Sequence, residues 1–192
     1  MASSRRAPRF SLPEMADQGV DEAISSFLSG PQVRRGRREP ANPLGDRGGS
    51  FGTLETRISW EEALHREAAR CARYRRPAAV MVISASAART ADAARWLNRV
   101  ATPIAHAIHR GIRETDLVTR TGDALFQVLM PETTERQARH VAERIAIDCK
   151  VWLEAIEAPV TVRTVSAATA TDTTLEMALE RALRALEASR PS

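Results

Sequence analysis

From Ser59 onward the spacing of apolar residues switches repeatedly between helical and extended periods, and the order of those switches leaves few folds open. Trp60, Leu64, Ala68, Cys71 and Ala72 recur at helical spacing behind Ser59-x-x-Glu62, a capping box. RYRRP (73–77) closes that helix. AAVMVIS (78–84) is a short continuous apolar run and reads as a buried strand. Thr90 is placed to cap a helix over 91–100. Thr102-Pro103 has the N-cap and first-turn chemistry of a restart, which predicts a second helix to about Ile112. Residues 116–121 and 125–130 read as the strands of a hairpin around Gly122-Asp123. Thr134-x-x-Gln137 opens another helix, with Ala138, Val141, Ile145, Cys149 and Trp152 on its apolar stripe. Residues 159–170 form a strand. Thr173-x-x-Glu176 caps a last helix with a stripe of Leu175, Ala178, Leu179, Ala182 and Leu186.

Without its first and last helices this order is β-αα-β-β-α-β, the split βαβ arrangement of ferredoxin-like folds. The expected fold is therefore α/β (α+β), with one central sheet and helices packed against it. The folded part spans 57–189. Residues 1–55 hold seven of the nine glycines and half of the ten prolines, a composition that predicts a disordered arm. Within the arm, VDEAISSFL (20–28) can place Val20, Ile24, Phe27 and Leu28 on one face of a short helix. It reads as a docking peptide for a protein partner or as a passive linker. RRGRRE (34–39) reads as a phosphate-touching knot or as a solvated charge run.

Charge narrows the partners. Of the 28 basic residues only Lys150 is a lysine, and 24 acidic residues are interspersed among them. Aromatic residues are 4% of the chain. Nucleic-acid surfaces mix lysine and arginine with exposed aromatics, so nucleic acid is not the expected partner. Cys71 and Cys149 fall on apolar helix faces and read as buried free thiols. His106 and His109 stand one turn apart, but with no acid or cysteine near them they do not make a metal set. No apolar run approaches the roughly 20 residues of a membrane span. The basic start lacks the apolar core of a secretory signal, so the expected location is cytoplasmic.

At this point four segments resemble one family in the same order. ALHREAARCARYRRPAAVMVI (63–83) resembles the opening helix, joint and strand of GGDEF domains, the diguanylate cyclases. IRETDLVTRTGDALFQVLMP (112–131) resembles their signature hairpin. VTVRTVSAATA (160–170) and LERALRALEAS (179–189) resemble their later strand and final helix. The resemblance implies a nucleotide-cyclase-like fold and puts the five signature positions at Gly122, Asp123, Ala124, Leu125 and Phe126. It also implies where this chain departs. The metal-binding signature acid is Leu125, or Ala124 after a slip of one residue. The acid pair that ends the first strand is Ser84 and Ser86, and AARTADAARW (87–96) replaces the segment that grips the substrate guanine. Magnesium wants anionic oxygen ligands, and joining two nucleoside triphosphates needs divalent ions. The expectation is a degenerate domain with no catalysis, no metal and no cofactor.

The resemblance implies one further site. Arg113-Glu114-Thr115-Asp116 stands where the family carries R-x-x-D, the inhibitory site for cyclic di-GMP. An arginine fork can donate to guanine O6 and N7, and an aspartate can accept from guanine N1 and N2. The motif recurs at Arg89–Asp92, so placement carries the argument and spelling does not. The expected function is a non-catalytic cyclic di-GMP receptor acting on an unidentified protein partner. The alternative is a ligand-free interaction or scaffolding module, and a homodimer is an open arrangement for either.

Overall fold

The computed structural model describes residues 54–88 and 91–189. The arm up to residue 53, its 20–28 segment and the Thr90 cap lie outside them. The first helix, α1 (Arg57–Tyr74), starts earlier than Ser59. Thr56 is its N-cap and accepts from the Ser59 N–H at 3.2 Å. Ser59 lies inside the first turn, and its hydroxyl donates to Glu55 Oε2 at 2.5 Å. Thr56 has the same capping chemistry as Ser59, and starting there adds most of a turn. The helix ends where Arg75 takes the left-handed conformation, φ 53°, and returns its N–H to the Cys71 carbonyl.

Strand β1 (Ala78–Ala87) follows, longer than expected. The two helices expected next are one, α2 (Ala93–Gly111), continuous across Thr102 and Pro103. A proline inside a helix loses one hydrogen bond and crowds the preceding turn, at a cost of about 3 kcal/mol. Val100, Ile104, Ala107 and Ile108 are all buried and keep one helical phase through the proline. Burying side chains of the size of valine or isoleucine is worth roughly 1.5–3 kcal/mol each, so the stripe outweighs the break. Next come β2 (Leu117–Gly122), β3 (Leu125–Pro131), α3 (Glu135–Ala155), β4 (Val160–Ala168) and α4 (Leu175–Ala188). The Thr134/Gln137 capping box forms as expected. The last helix is capped by Thr174, which accepts from Met177 N–H, and not by Thr173. Either threonine can cap; Thr174 is the one immediately before buried Leu175.

The four strands form one antiparallel sheet in the order β2-β3-β1-β4. β1 is central, and Ala78 through Ile83 are wholly buried, which is why that run is apolar without alternation. On one face Val80, Val82, Leu129 and Ala167 pack with Trp60 and Leu64 of α1 and Leu175 and Ala178 of α4. Met81, Ile83, Phe126 and Val128 are wholly buried on the other face, on the side of α2 and α3. Gly111 lets the end of α2 meet α3: a Cβ there would lie 2.5 Å from Ile145 Cγ1. At the outer edge of β2, Glu55 forms a parallel bridge with Thr119. Its N–H donates to the Val118 carbonyl at 2.8 Å, and the Thr119 hydroxyl donates to the Glu55 carbonyl at 2.8 Å. Among the described residues no helix is long and apolar enough to cross a membrane.

Candidate functional site

The hairpin carries both groups of residues singled out by the sequence, one at each end of β2. At its tip the ladder sets Arg120 opposite Phe126 and Gly122 opposite Leu125, with a register shift that leaves Thr121 over. The tight turn is therefore Asp123-Ala124, one residue later than Gly122-Asp123. Burial explains the shift. Phe126 and Val128 must face the core, and the bulge in β2 absorbs the residue that this register leaves over. Arg120 braces the tip. Its Nε donates to the Gly122 carbonyl at 2.9 Å, its Nη2 donates to the Asp123 carbonyl, and its guanidinium lies 6.0 Å from the Phe126 ring centre.

β1 runs beside the tip. Ser84 pairs with Leu125 across the ladder, and the Ala85 N–H donates to the Ala124 carbonyl at 2.9 Å. Ser86 lies two residues further along, opposite Thr161 of β4. So Ser84, Ser86, Ala124 and Leu125 do meet at one corner of the sheet. What they bring is two hydroxyls and two apolar side chains. Leu125 packs on the apolar cluster beneath α1 and α4, Ala124 is buried, and Asp123 is exposed at the turn. Among the described residues no group of three or more His, Cys, Asp or Glu is placed to hold a metal.

At the other end of β2, residues 113–116 form the turn between α2 and the strand. The Asp116 N–H donates to the Arg113 carbonyl at 3.1 Å, and the Arg113 N–H donates to Asp116 Oδ2 at 2.8 Å. The pair is thus brought together as first and last residue of a turn, by bonds that run through the backbone. The Arg113 side chain is exposed. Asp116 is 9% exposed, and its Oδ1 has no hydrogen-bond partner among the described residues. Desolvation raises the Asp116 pKa; the Arg113 N–H bond and the Arg113 charge oppose the rise.

No family model matches the sequence, and no curated protein matches it. Solved structures do. The active GGEEF domain of a diguanylate cyclase from Vibrio cholerae aligns with a TM-score of 0.60 at 19% identity, over 71% of this chain and 91% of that one. The coiled coil and GGDEF domain of DgcB from Caulobacter crescentus, solved with cyclic di-GMP, aligns with a TM-score of 0.59 at 19% identity, over 73% of this chain and 78% of that one. The diguanylate cyclase SiaD from Pseudomonas aeruginosa, solved with its activator SiaC, gives 0.54 at 23% identity, over 74% and 58%. The chain has the fold of a GGDEF domain.

At the positions where the resemblance calls for acids, this chain has half-buried Ser84, Ser86 and Leu125 and buried Ala124. Sequence reasoning missed two features there. Arg120, unremarked in the hairpin run, bonds two carbonyls of the tip. Its position shortly before a Gly-Asp pair was the available signal. Glu55 was placed with the arm by composition, yet it is bonded to β2, and no local pattern announces that.

Proposed function

We propose that this GGDEF-fold chain is a non-catalytic receptor for cyclic di-GMP, which it holds at Arg113 and Asp116 and reports to a protein partner. The observation that carries the reading is the turn: it joins an exposed arginine to an aspartate whose Oδ1 is buried and has no hydrogen-bond partner among the described residues, an oxygen that ligand binding would have to uncover. A guanine edge offers N1 and N2 hydrogens to such an oxygen, and O6 and N7 acceptors to the fork. The DgcB domain was solved with cyclic di-GMP, which supports this class of ligand for the fold. SiaD was solved with a protein activator, which supports a protein partner.

The non-catalytic half of the proposal rests on the other end of the strand. Magnesium there would meet Ser84, Ser86 and a half-buried leucine packed against the core. Neutral hydroxyls can assist a carboxylate but do not replace a set of them, so the residues present do not fit the ion. Purified protein given GTP and magnesium should make no cyclic di-GMP.

Titration calorimetry with cyclic di-GMP tests the receptor. The wild type should bind. Arg113→Ala should cost about 1–3 kcal/mol or more of binding, since fork and phosphate contacts go together. Arg113→Lys should also weaken binding, because a point charge cannot make the planar bidentate contact. Arg89→Ala, in the second R-x-x-D, should leave affinity unchanged. One observation favours the scaffold reading: Asp116 Oδ2 is already committed to the Arg113 N–H, a structural task that needs no ligand. No binding heat from the wild type, or equal effects of the Arg113 and Arg89 substitutions, would replace the receptor with that scaffold.

A further inference from the structure

The far edge of the sheet presents an unpartnered face of mixed chemistry. β4 ends the strand order, so its outer side meets no other strand among the described residues. It is nine residues long, pairs with β1 without a register shift and contains no proline or lysine; its one charged residue is Arg163, whose guanidinium donates to the Ser189 carbonyl. Edge strands that stay single are usually short, bulged or marked by such residues. α3 lies over this strand. Its inner face buries Ala138, Ile145, Cys149 and Trp152, while the opposite side exposes Ile147 at 61% and Val151 at 62%. Between helix and strand edge runs a groove of about 610 Å³, lined by Ile147, Lys150, Leu153, Glu154, Val160 and Val162. Lys150 and Glu154 stand one helical turn apart on its rim, Nζ to Oε1 3.7 Å, and Lys150 is the chain's single lysine.

We propose that this face is occupied by a second copy of the chain, related by a two-fold axis that passes beside β4 and crosses the groove. Such an axis sets β4 antiparallel to the partner's β4 and continues the sheet from one copy into the next. It also sets α3 antiparallel to its equivalent. With the axis crossing between residues 150 and 154, each Lys150 faces the other copy's Glu154, so the charge pair is satisfied twice. An open strand needs a strand, and a lysine followed by a glutamate needs the reverse order. One rotation of this chain supplies both, and it brings the Ile147 side of each groove toward the axis.

Sedimentation equilibrium on the full chain tests the proposal. The wild type should form a dimer that dissociates on dilution. Lys150→Glu sets like charges across the axis, and so does Glu154→Lys. Each should raise the dissociation constant about tenfold or more. Both also break the pair within the helix, so a thermal melt of each must show the monomer still folded. The deciding step is to mix the two variants in equal amounts. The carboxylate introduced in one variant then faces the ammonium introduced in the other, and the unaltered Glu154 of the first faces the unaltered Lys150 of the second. A mixed dimer should form that neither variant forms alone. Amides of Val160–Ser166 should gain exchange protection as concentration rises. A monomer at every concentration overturns the proposal. So does a dimer that both variants leave intact, or a mixture that stays monomeric.

Discussion

β2 is only six residues long, roughly 20 Å of strand, yet its two ends use their polar groups in opposite ways. At the tip Arg120 holds two carbonyls, Ala124 accepts from Ala85 N–H, and half-buried Leu125 packs against the core. At the turn an exposed arginine flanks an aspartate with one oxygen bonded and one not. The tip is built to be closed; the turn keeps bonding capacity in reserve. The difference teaches where to look for a ligand in a chain whose hairpin resembles an active site. The receptor proposal draws on that leftover capacity as well as on kinship.

The comparison can be broken by asking which end carries stability. Phe126→Ala, at a wholly buried position, should cost about 3–5 kcal/mol in urea denaturation. A loss under about 1 kcal/mol would mean that the tip is not fixed by burial as argued. Leu125→Glu should cost about 1–3 kcal/mol, because it drives a carboxylate against an apolar cluster. It should also gain no turnover of GTP. Arg120→Ala, on an exposed residue, should cost about 0.5–1.5 kcal/mol through the two carbonyl bonds it leaves open.

The turn should answer to different variables, pH and ligand. A carboxyl whose folded pKa is raised holds its proton more tightly in the folded chain. Its contribution to stability is full below the unfolded value of 3.8 and is lost as pH rises through the higher folded value. Asp116→Asn keeps an oxygen for the Arg113 N–H and removes the titration. The variant should therefore gain on the wild type as pH rises across that window, while losing cyclic di-GMP binding. Parallel stability curves would show that burial does not disfavour the ionised form. Smallest of all, Arg113→Ala should change stability by less than about 0.5 kcal/mol, although it weakens the nucleotide.

Much of this was legible because single residues leave one choice. AAVMVIS has no polar face, so it must lie between two layers, and it does. Of Thr133 and Thr134 only Thr134 has a glutamine three residues on, and the box forms there. Where neighbours offered the same chemistry, tertiary packing chose: Thr56 over Ser59, Thr174 over Thr173. Pro103 looked like a break because local chemistry says so, and the buried stripe on either side overrode it. The tip resisted for the same reason. Gly122-Asp123 is a good turn by local rules, and only the burial of Phe126 moves the turn to Asp123-Ala124. Spacing alone put Arg113 beside Asp116, but three residues of separation do not say whether the carboxylate faces outward or back to the Arg113 N–H.

Glu55 ties the incoming chain to β2 by two hydrogen bonds, beside the middle of the strand that Asp116 precedes. The chain therefore enters the sheet at the edge opposite β4. Traction applied ahead of Glu55 would load those bonds first and pass into β2 before it reached β1 or β4. The strand that joins the turn to the tip is thus also the molecule's mechanical inlet.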